Sequence, residues 1–192
     1  KRKMKSSIEK GEAAFYGPKI DFMVKDSLGR EWQLATCQLD FNQPENFDMK
    51  YVNEKGEKER PAILHIAVLG SIERFMGILI EHLAGSFPVW LAPVQAKILP
   101  ITGKNLNYAD KVNAKLKEER VRSEVDERNE TLQAKIRDAQ LAKVPYMLIV
   151  GDKEESAGNV SERGRNGKDY GPVKVEDFIL SVRKEIDEKS LV

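Results

Sequence analysis

"YGPKIDFMVKDSLGREWQLATCQLDF", residues 16–41, decides how the first half of this chain folds. Ile20, Phe22 and Val24 alternate with Asp21, Met23 and Lys25, the period of a half-buried strand. "DSLGR" supplies a turn at Gly29, and residues 32–41 read as the return strand of a hairpin. A tight turn ahead of the first strand needs only Gly17 and Pro18. Tyr16 and Lys19 are surplus to it, and surplus aromatic and polar groups at a strand mouth are where sites are built.

Working outward, "YVNEKGEKERPAILHIAVL" (residues 51–69) reads as a second hairpin around Gly56, with residues 63–69 as its return strand. "GSIERFMGILIEHLAG" (residues 70–85) changes period. Ile72, Phe75, Met76, Leu79, Ile80 and Leu83 take helical spacing, with Ser71 as N-cap and Gly85 as the stop. Residues 1–12 read as a charged helix end or tail, and the abrupt start suggests a piece of a longer protein.

Pro88 and Pro93 punctuate a change of pattern, which places a domain boundary between residues 94 and 95. Residues 95–192 then alternate strand and helix. "AKILPI" and residues 121–125 read as strands. Tyr108, Val112 and Leu116 line one helix, and Leu132, Ile136 and Ala139 line a second that starts near Asn129 or Thr131. "YMLIV" (residues 146–150) is an unbroken apolar run, suited to a central strand covered on both faces. Residues 159–162 form a further strand, and Phe178, Ile179, Val182 and Ile186 a closing helix. The reading is a small α/β unit whose ligands sit at the carboxyl ends of its strands, at "DERNE" and "GDKE".

Composition narrows the function. Of 192 residues, 32 are Lys or Arg and 31 Asp or Glu, so the net charge is only +1. A nucleic-acid partner would have to be held by local patches. No apolar run reaches membrane-spanning length, no signal peptide is visible, and Cys37 has no partner for a disulfide; a soluble cytoplasmic protein is expected.

Each candidate site residue has two readings. Tyr16 and Lys19 either line a site, or cap the core and meet solvent. Gln33, Thr36 and Gln38 must find hydrogen bonds, in a ligand or in a neighbouring strand. Strict alternation puts Gln33 opposite the other two unless a bulge intervenes. His65 in "ILHIAV" is either a satisfied core group or a ligand, and this chain alone has no second His or Cys at zinc-site spacing. Arg74, on a mostly apolar helix, calls for an anion: a phosphate or a nearby carboxylate.

Taken in order, "AFYGPKIDF", "GREWQLATCQLDF", "RPAILHIAVLGSIERFMGILIEHLAGSFPVWLAPVQ" and "DERNETLQAKIRDAQLAKVPYMLIVGDKE" resemble the threonyl-tRNA synthetase family, from Gly11 to the end of the chain. "GSIERF" resembles motif 3 of class II synthetases. The resemblance implies an α+β partial catalytic domain, an antiparallel sheet plus the motif 3 helix, over residues 1–94. An α/β anticodon-binding domain with a mostly parallel sheet follows over residues 95–192. It implies ATP-dependent attachment of threonine to its tRNA through threonyl-adenylate, with magnesium accompanying ATP. Tyr16, Thr36, Gln38 and Ser71 would line the substrate pocket. Lys19, Gln33 and Arg74 would serve the nucleotide and adenylate. His65 would be one zinc ligand, with the others missing from this chain. Asn129, Glu154 and Arg163 would contact anticodon bases. The implied partners are threonine tRNA, ATP, threonine and a second copy in a homodimer, with no membrane and no DNA.

Departures from the family pattern matter. Motifs 1 and 2 and the remaining zinc ligands are absent. Ile66 stands where the family has arginine, and Ala13 where it has glycine. Three classes follow: a piece of a ligase, inactive alone but able to bind the anticodon; a tRNA-binding module; or a regulatory paralogue without ligase activity.

Overall fold

A computed structural model describes residues 6–191. The chain forms two compact units, Lys1–His82 and Leu83–Val192. The basic start, residues 1–5, lies outside the described residues; residues 6–12 carry no helix and are exposed.

The first unit is built on β1 (Lys19–Lys25), β2 (Glu31–Asp40), a short helix α1 (Asn42–Asn46), β3 (Tyr51–Val52), β4 (Lys58–Glu59), β5 (Ile63–Ala67) and helix α2 (Ile72–His82). Its three-stranded antiparallel sheet runs β1-β2-β5. The expected β1–β2 hairpin is present. The second hairpin around Gly56 is present but short, because β3 pairs with the two-residue β4, and the expected return strand, β5, pairs with β2 instead. The apolar run of β5 finds a longer partner in β2, through five residue pairs from Thr36↔Ala67 to Asp40↔Ile63. Ser71 Oγ accepts the Arg74 N–H at 3.2 Å and so caps α2. Gly70 has φ +64°, and a Cβ there would sit 2.7 Å from the Leu34 carbonyl oxygen, so no other residue fits this strand-to-helix turn. Among the described residues of this unit only Asp40 and Pro44 are buried. Ile20, Leu64, Ile66, Val68, Ile72 and Met76 are all exposed.

The second unit runs β6 (Ala96–Pro100), α3 (Leu106–Glu118), β7 (Ser123–Val125), α4 (Leu132–Leu141), β8 (Tyr146–Val150), α5 (Asp152–Ala157), β9 (Asn159–Gly164), β10 (Asp169–Lys174) and α6 (Val175–Asp187). Its sheet has the order β10-β9-β8-β6-β7. The β6–β7 and β6–β8 pairs are parallel, and the β8–β9 and β9–β10 pairs antiparallel. The sheet is therefore mixed, not mostly parallel. β8 and β9 are joined through the short helix α5, and β9 and β10 by a tight turn at Gly167, and both pairs run antiparallel. α1, α5 and β10 have no counterpart in the sequence reading; the first two are only one to two turns long, and β10 is interrupted by Gly171 and Pro172.

β8 is the middle strand and is covered on both faces, as its unbroken apolar run requires. Leu148 and Val150 join Ile98, Val112, Leu116, Phe178 and Val182 in one core cluster beneath α3 and α6. Met147 and Ile149 join Leu99, Ile136 and Ala139 beneath α4. The stretch around Pro88 and Pro93 belongs to this unit. Val89 and Ala92 are buried, Gln95 Nε2 donates to the Val89 carbonyl at 2.8 Å, and the Arg122 guanidinium donates to the carbonyls of Trp90 and Ala92. No helix among the described residues is long and apolar enough to cross a membrane.

Candidate functional sites

One face of the first sheet gathers most of the residues singled out in that half. Direct cross-strand pairs share a face, so Lys19↔Gln38, Asp21↔Thr36 and Gln38↔His65 put these five side chains together. Gln33 joins them because a bulge intervenes: Phe22 pairs with Ala35, but Met23 pairs with Gln33, which leaves Leu34 extra. Gln33 Nε2 then donates to Asp21 Oδ1 at 2.7 Å and to Thr36 Oγ1 at 3.0 Å. Thr36 Oγ1 donates to the same carboxylate oxygen at 3.1 Å, and Lys19 Nζ lies 2.8 Å from Asp21 Oδ2. The hydrogen bond that Lys19 donates to Asp21 raises the Lys19 pKa and keeps the ammonium charged. Asp21 thus organises three candidate residues. Its alternation with Ile20 and Phe22 shows in the sequence, but its role as the shared acceptor does not.

Tyr16 reaches the same face, with its hydroxyl donating to Gln38 Oε1 at 3.2 Å. Gly17 is required for this approach, since a Cβ there would sit 2.3 Å from the Leu39 carbonyl oxygen. Arg74 is exposed and not buried as its apolar helix suggested; among the described residues its guanidinium makes a single long contact, 3.5 Å to the Gln33 carbonyl, and no ion pair. Ser71 is engaged as the cap of α2. Cys37 is half-buried on the opposite face, paired with Ile66.

His65 is neither a plain core group nor part of a complete metal site. Its Nε2 lies 2.9 Å from Asp40 Oδ2. Asp40 is buried, and its Oδ1 accepts the backbone N–H groups of Asn42 and Gln43. The Gln43 N–H, followed by His65, holds the Asp40 carboxyl below the usual range. Among the described residues no group of three or more His, Cys, Asp or Glu could hold a metal ion. His65 offers one donor to zinc, and no chemistry through zinc follows from this chain.

In the second unit, Asn129 and Glu154 follow the carboxyl ends of β7 and β8. The loop carrying Asn129 is fixed from below. Arg128 makes a bidentate pair with buried Asp126 (2.8 and 2.6 Å) and bonds Asp138 at 2.8 Å. These contacts hold the Asp126 carboxyl below the usual range, with the Arg128 hydrogen bond the main cause. Buried Lys135 donates to the carbonyls of Pro100 and Asp126, both at 3.1 Å. Asn129 itself is exposed. Glu154 Oε2 accepts the Gly151 N–H at 3.0 Å and so caps α5.

Arg163 does not sit at the carboxyl ends with them. β9 runs antiparallel to β8, and Arg163 pairs with Met147, near the amino end of β8. It shares the sheet face of Met147, the face on which α4 packs. Its ion pair is with Asp169 (3.1 Å), not with Glu154. Its Nε is buried and has no hydrogen-bond partner among the described residues, an exception that calls for an explanation.

The neighbouring Glu162 points to the other face, opposite Leu148. Burial, then the charge of Glu185, raises its pKa, while Glu185 accepts the Tyr146 hydroxyl at 2.6 Å. A raised carboxyl contributes its stability below the ordinary glutamate range and loses it as pH rises through the folded value. Glu162→Gln is therefore expected to raise the melting temperature at about pH 7 and to leave it unchanged at about pH 4. Thermal unfolding at the two pH values checks this.

Comparison with known proteins fits this geometry. Residues 1–83 match the tRNA synthetase class II core domain (G, H, P, S and T), and residues 95–185 match an anticodon-binding domain. The chain is 56% identical over 184 residues to a threonine–tRNA ligase of Caldanaerobacter subterraneus, covering 96% of this chain and 29% of that protein. It is 54% identical to a threonine–tRNA ligase of Clostridium acetobutylicum, covering 95% of this chain and 29% of that protein. The solved RNA binding domain of threonyl-tRNA synthetase from Cryptosporidium parvum matches with TM-score 0.82 and 37% identity, over 91% of this chain and 44% of that one. A prolyl-tRNA synthetase from the same organism shares the fold, with TM-score 0.70 and 24% identity, over 93% of this chain and 41% of that one. The chain thus spans less than a third of the length of these curated relatives. The two family matches fall on the two compact units in order, and the chain belongs to the threonyl-tRNA synthetase family, in which it corresponds to the carboxy-terminal region: the end of the class II core domain followed by the anticodon-binding domain.

Proposed function

We propose that this chain supplies part of the active site and the anticodon-reading domain of an enzyme that joins threonine to its tRNA at the expense of ATP. The observation that carries this reading is the polar face of the first sheet, where Tyr16, Lys19, Gln33, Thr36, Gln38 and His65 converge around Asp21 and Asp40. A fixed set of N–H, O–H and ammonium donors suits a small polar substrate and its acyl phosphate, because hydrogen bonds rejected by a wrong substrate leave buried groups unpaired. Arg74, free of acidic partners among the described residues, is placed to meet ATP phosphate. A guanidinium there stabilises charge that develops during adenylate formation. Magnesium accompanies the nucleotide. Zinc belongs to this proposal only through His65, with further ligands drawn from outside this chain. Asn129, Glu154 and Arg163 are the proposed anticodon contacts, since exposed loop bases are read by edge hydrogen bonds and stacking.

In this reading the work is cytoplasmic, and a homodimer is the assembly the family resemblance suggests. The exposed apolar side of the first unit, with Ile20, Leu64 and Ile66, is the surface that further layers of a core domain would cover. The isolated 192-residue chain is expected to bind threonine tRNA but to show no threonine-dependent pyrophosphate exchange above blank. Exchange above blank would overturn the incomplete-site reading. Failure to bind tRNA would favour a regulatory paralogue that keeps the fold.

A further inference from the structure

We infer that Asp40 is a positioning residue that sets the tautomer of His65 and leaves Nδ1 as the one ring nitrogen able to receive a ligand. Asp40 is 3% exposed and sits where β2 passes into α1. Its two oxygens are divided between two tasks. Oδ1 accepts the N–H groups of Asn42 (2.9 Å) and Gln43 (3.0 Å), both fixed by the backbone. Oδ2 is left for His65 Nε2 at 2.9 Å. An ionised carboxylate only accepts hydrogen bonds, and a neutral imidazole has one donor nitrogen and one acceptor. In the neutral ring Nε2 must therefore carry the hydrogen, and the lone pair falls to Nδ1.

The His65 side chain is 46% exposed, so the ring is open to the polar face while one edge is anchored. What meets Nδ1 is a group seeking a lone pair: a divalent cation, or an ammonium or hydroxyl of a bound amino acid. A buried carboxylate behind a ligating histidine fixes ring orientation and raises ligand basicity. The tautomer assignment stands on the geometry of this chain; only its use by a ligand rests on the proposed function.

Asp40→Asn gives a sharp test because the division of tasks is asymmetric. The two backbone N–H groups hold the oxygen of the new amide, so its NH2 faces His65. Nε2 must then accept, and the hydrogen moves to Nδ1. The experiment is long-range 1H–15N NMR on the 192-residue chain, with His82→Gln leaving His65 as the single histidine. In the parent, Nε2 is expected to show the pyrrole-type and Nδ1 the pyridine-type nitrogen shift, with a slowly exchanging Nε2–H. In Asp40→Asn the two types are expected to exchange places. A parent with a pyridine-type Nε2 overturns the inference, as does an unchanged pattern in a folded Asp40→Asn chain. Should that variant not fold, the parent spectrum decides alone. Neither readout depends on ligase activity, so failure here and failure of the proposed function are separable.

Discussion

Arg163→Ala is expected to weaken binding of a threonine-tRNA anticodon stem-loop by about 10- to 100-fold, the effect of about 1–3 kcal/mol for an arginine that reads a base. Two observations support this. Among the described residues Asp169 is the one ion-pair partner of Arg163, through Nη2, and that carboxylate is itself exposed. A guanidinium held on a strand with donors to spare is preorganised to meet an acceptor from outside. The competing account is an ordinary rim ion pair with Asp169. Such a pair contributes about 0–1 kcal/mol to stability and nothing to RNA affinity. Asp169→Asn separates the two accounts, because it removes the pair but keeps the guanidinium. Filter binding or fluorescence anisotropy at fixed salt measures each affinity, and thermal unfolding confirms the fold. With a non-cognate anticodon the parent and Arg163→Ala should bind alike. Equal affinity of both for the cognate loop would remove Arg163 from the proposed site.

Phe178→Ala is expected to destabilise the second unit by about 3–5 kcal/mol, a large share of the roughly 5–15 kcal/mol that holds a domain together. Phe178 is 2% exposed, and its ring packs edge-on against Tyr146 at 5.4 Å. It joins α6 to the β8 side of the sheet, so its loss leaves a cavity at the centre of the larger cluster. The described residues of the first unit form no comparable core: among them only Asp40 and Pro44 are buried, and Ile20, Leu64 and Ile66 of its sheet are exposed. Limited proteolysis of the parent should therefore cut within the first unit and leave a resistant fragment that begins before Val89. Phe178→Ala should abolish that fragment. A resistant core mapping to the first unit, or an unchanged digest in Phe178→Ala, would contradict this account of where the stability resides.

The sequence by itself determined what local chemistry and periodicity can encode. Alternation in residues 20–24 marked β1, Gly29 marked its turn, and the run at residues 146–150 marked a strand with both faces covered. The spacing of Val112 with Leu116 and of Phe178 with Val182 marked helices that bury those faces. Ser71 could be read as a cap because it stands directly before the helical spacing that opens at Ile72. The order of motifs identified the family, and with it the candidate residues.

The tertiary structure alone decided which strands pair. A strand's apolar pattern says which face it buries but not which neighbour it bonds, so β5 was free to join β2 and leave β3 and β4 as a ribbon. The bulge at Leu34 is likewise invisible in the sequence, yet it carries Gln33 to the face of Thr36 and Gln38. The antiparallel return of β9 after α5, and of β10 through the Gly167 turn, is a matter of strand pairing, and their register moved Arg163 away from the carboxyl ends. The roles of Asp21, Asp40, Asp126 and Lys135 came from the same source. Each is a charged residue of ordinary appearance in the sequence. Each acquires its role only when the folded backbone, through a tight loop for Asp126 and through distant elements for Asp21 and Lys135, brings donors or acceptors within about 3 Å, where a hydrogen bond can form.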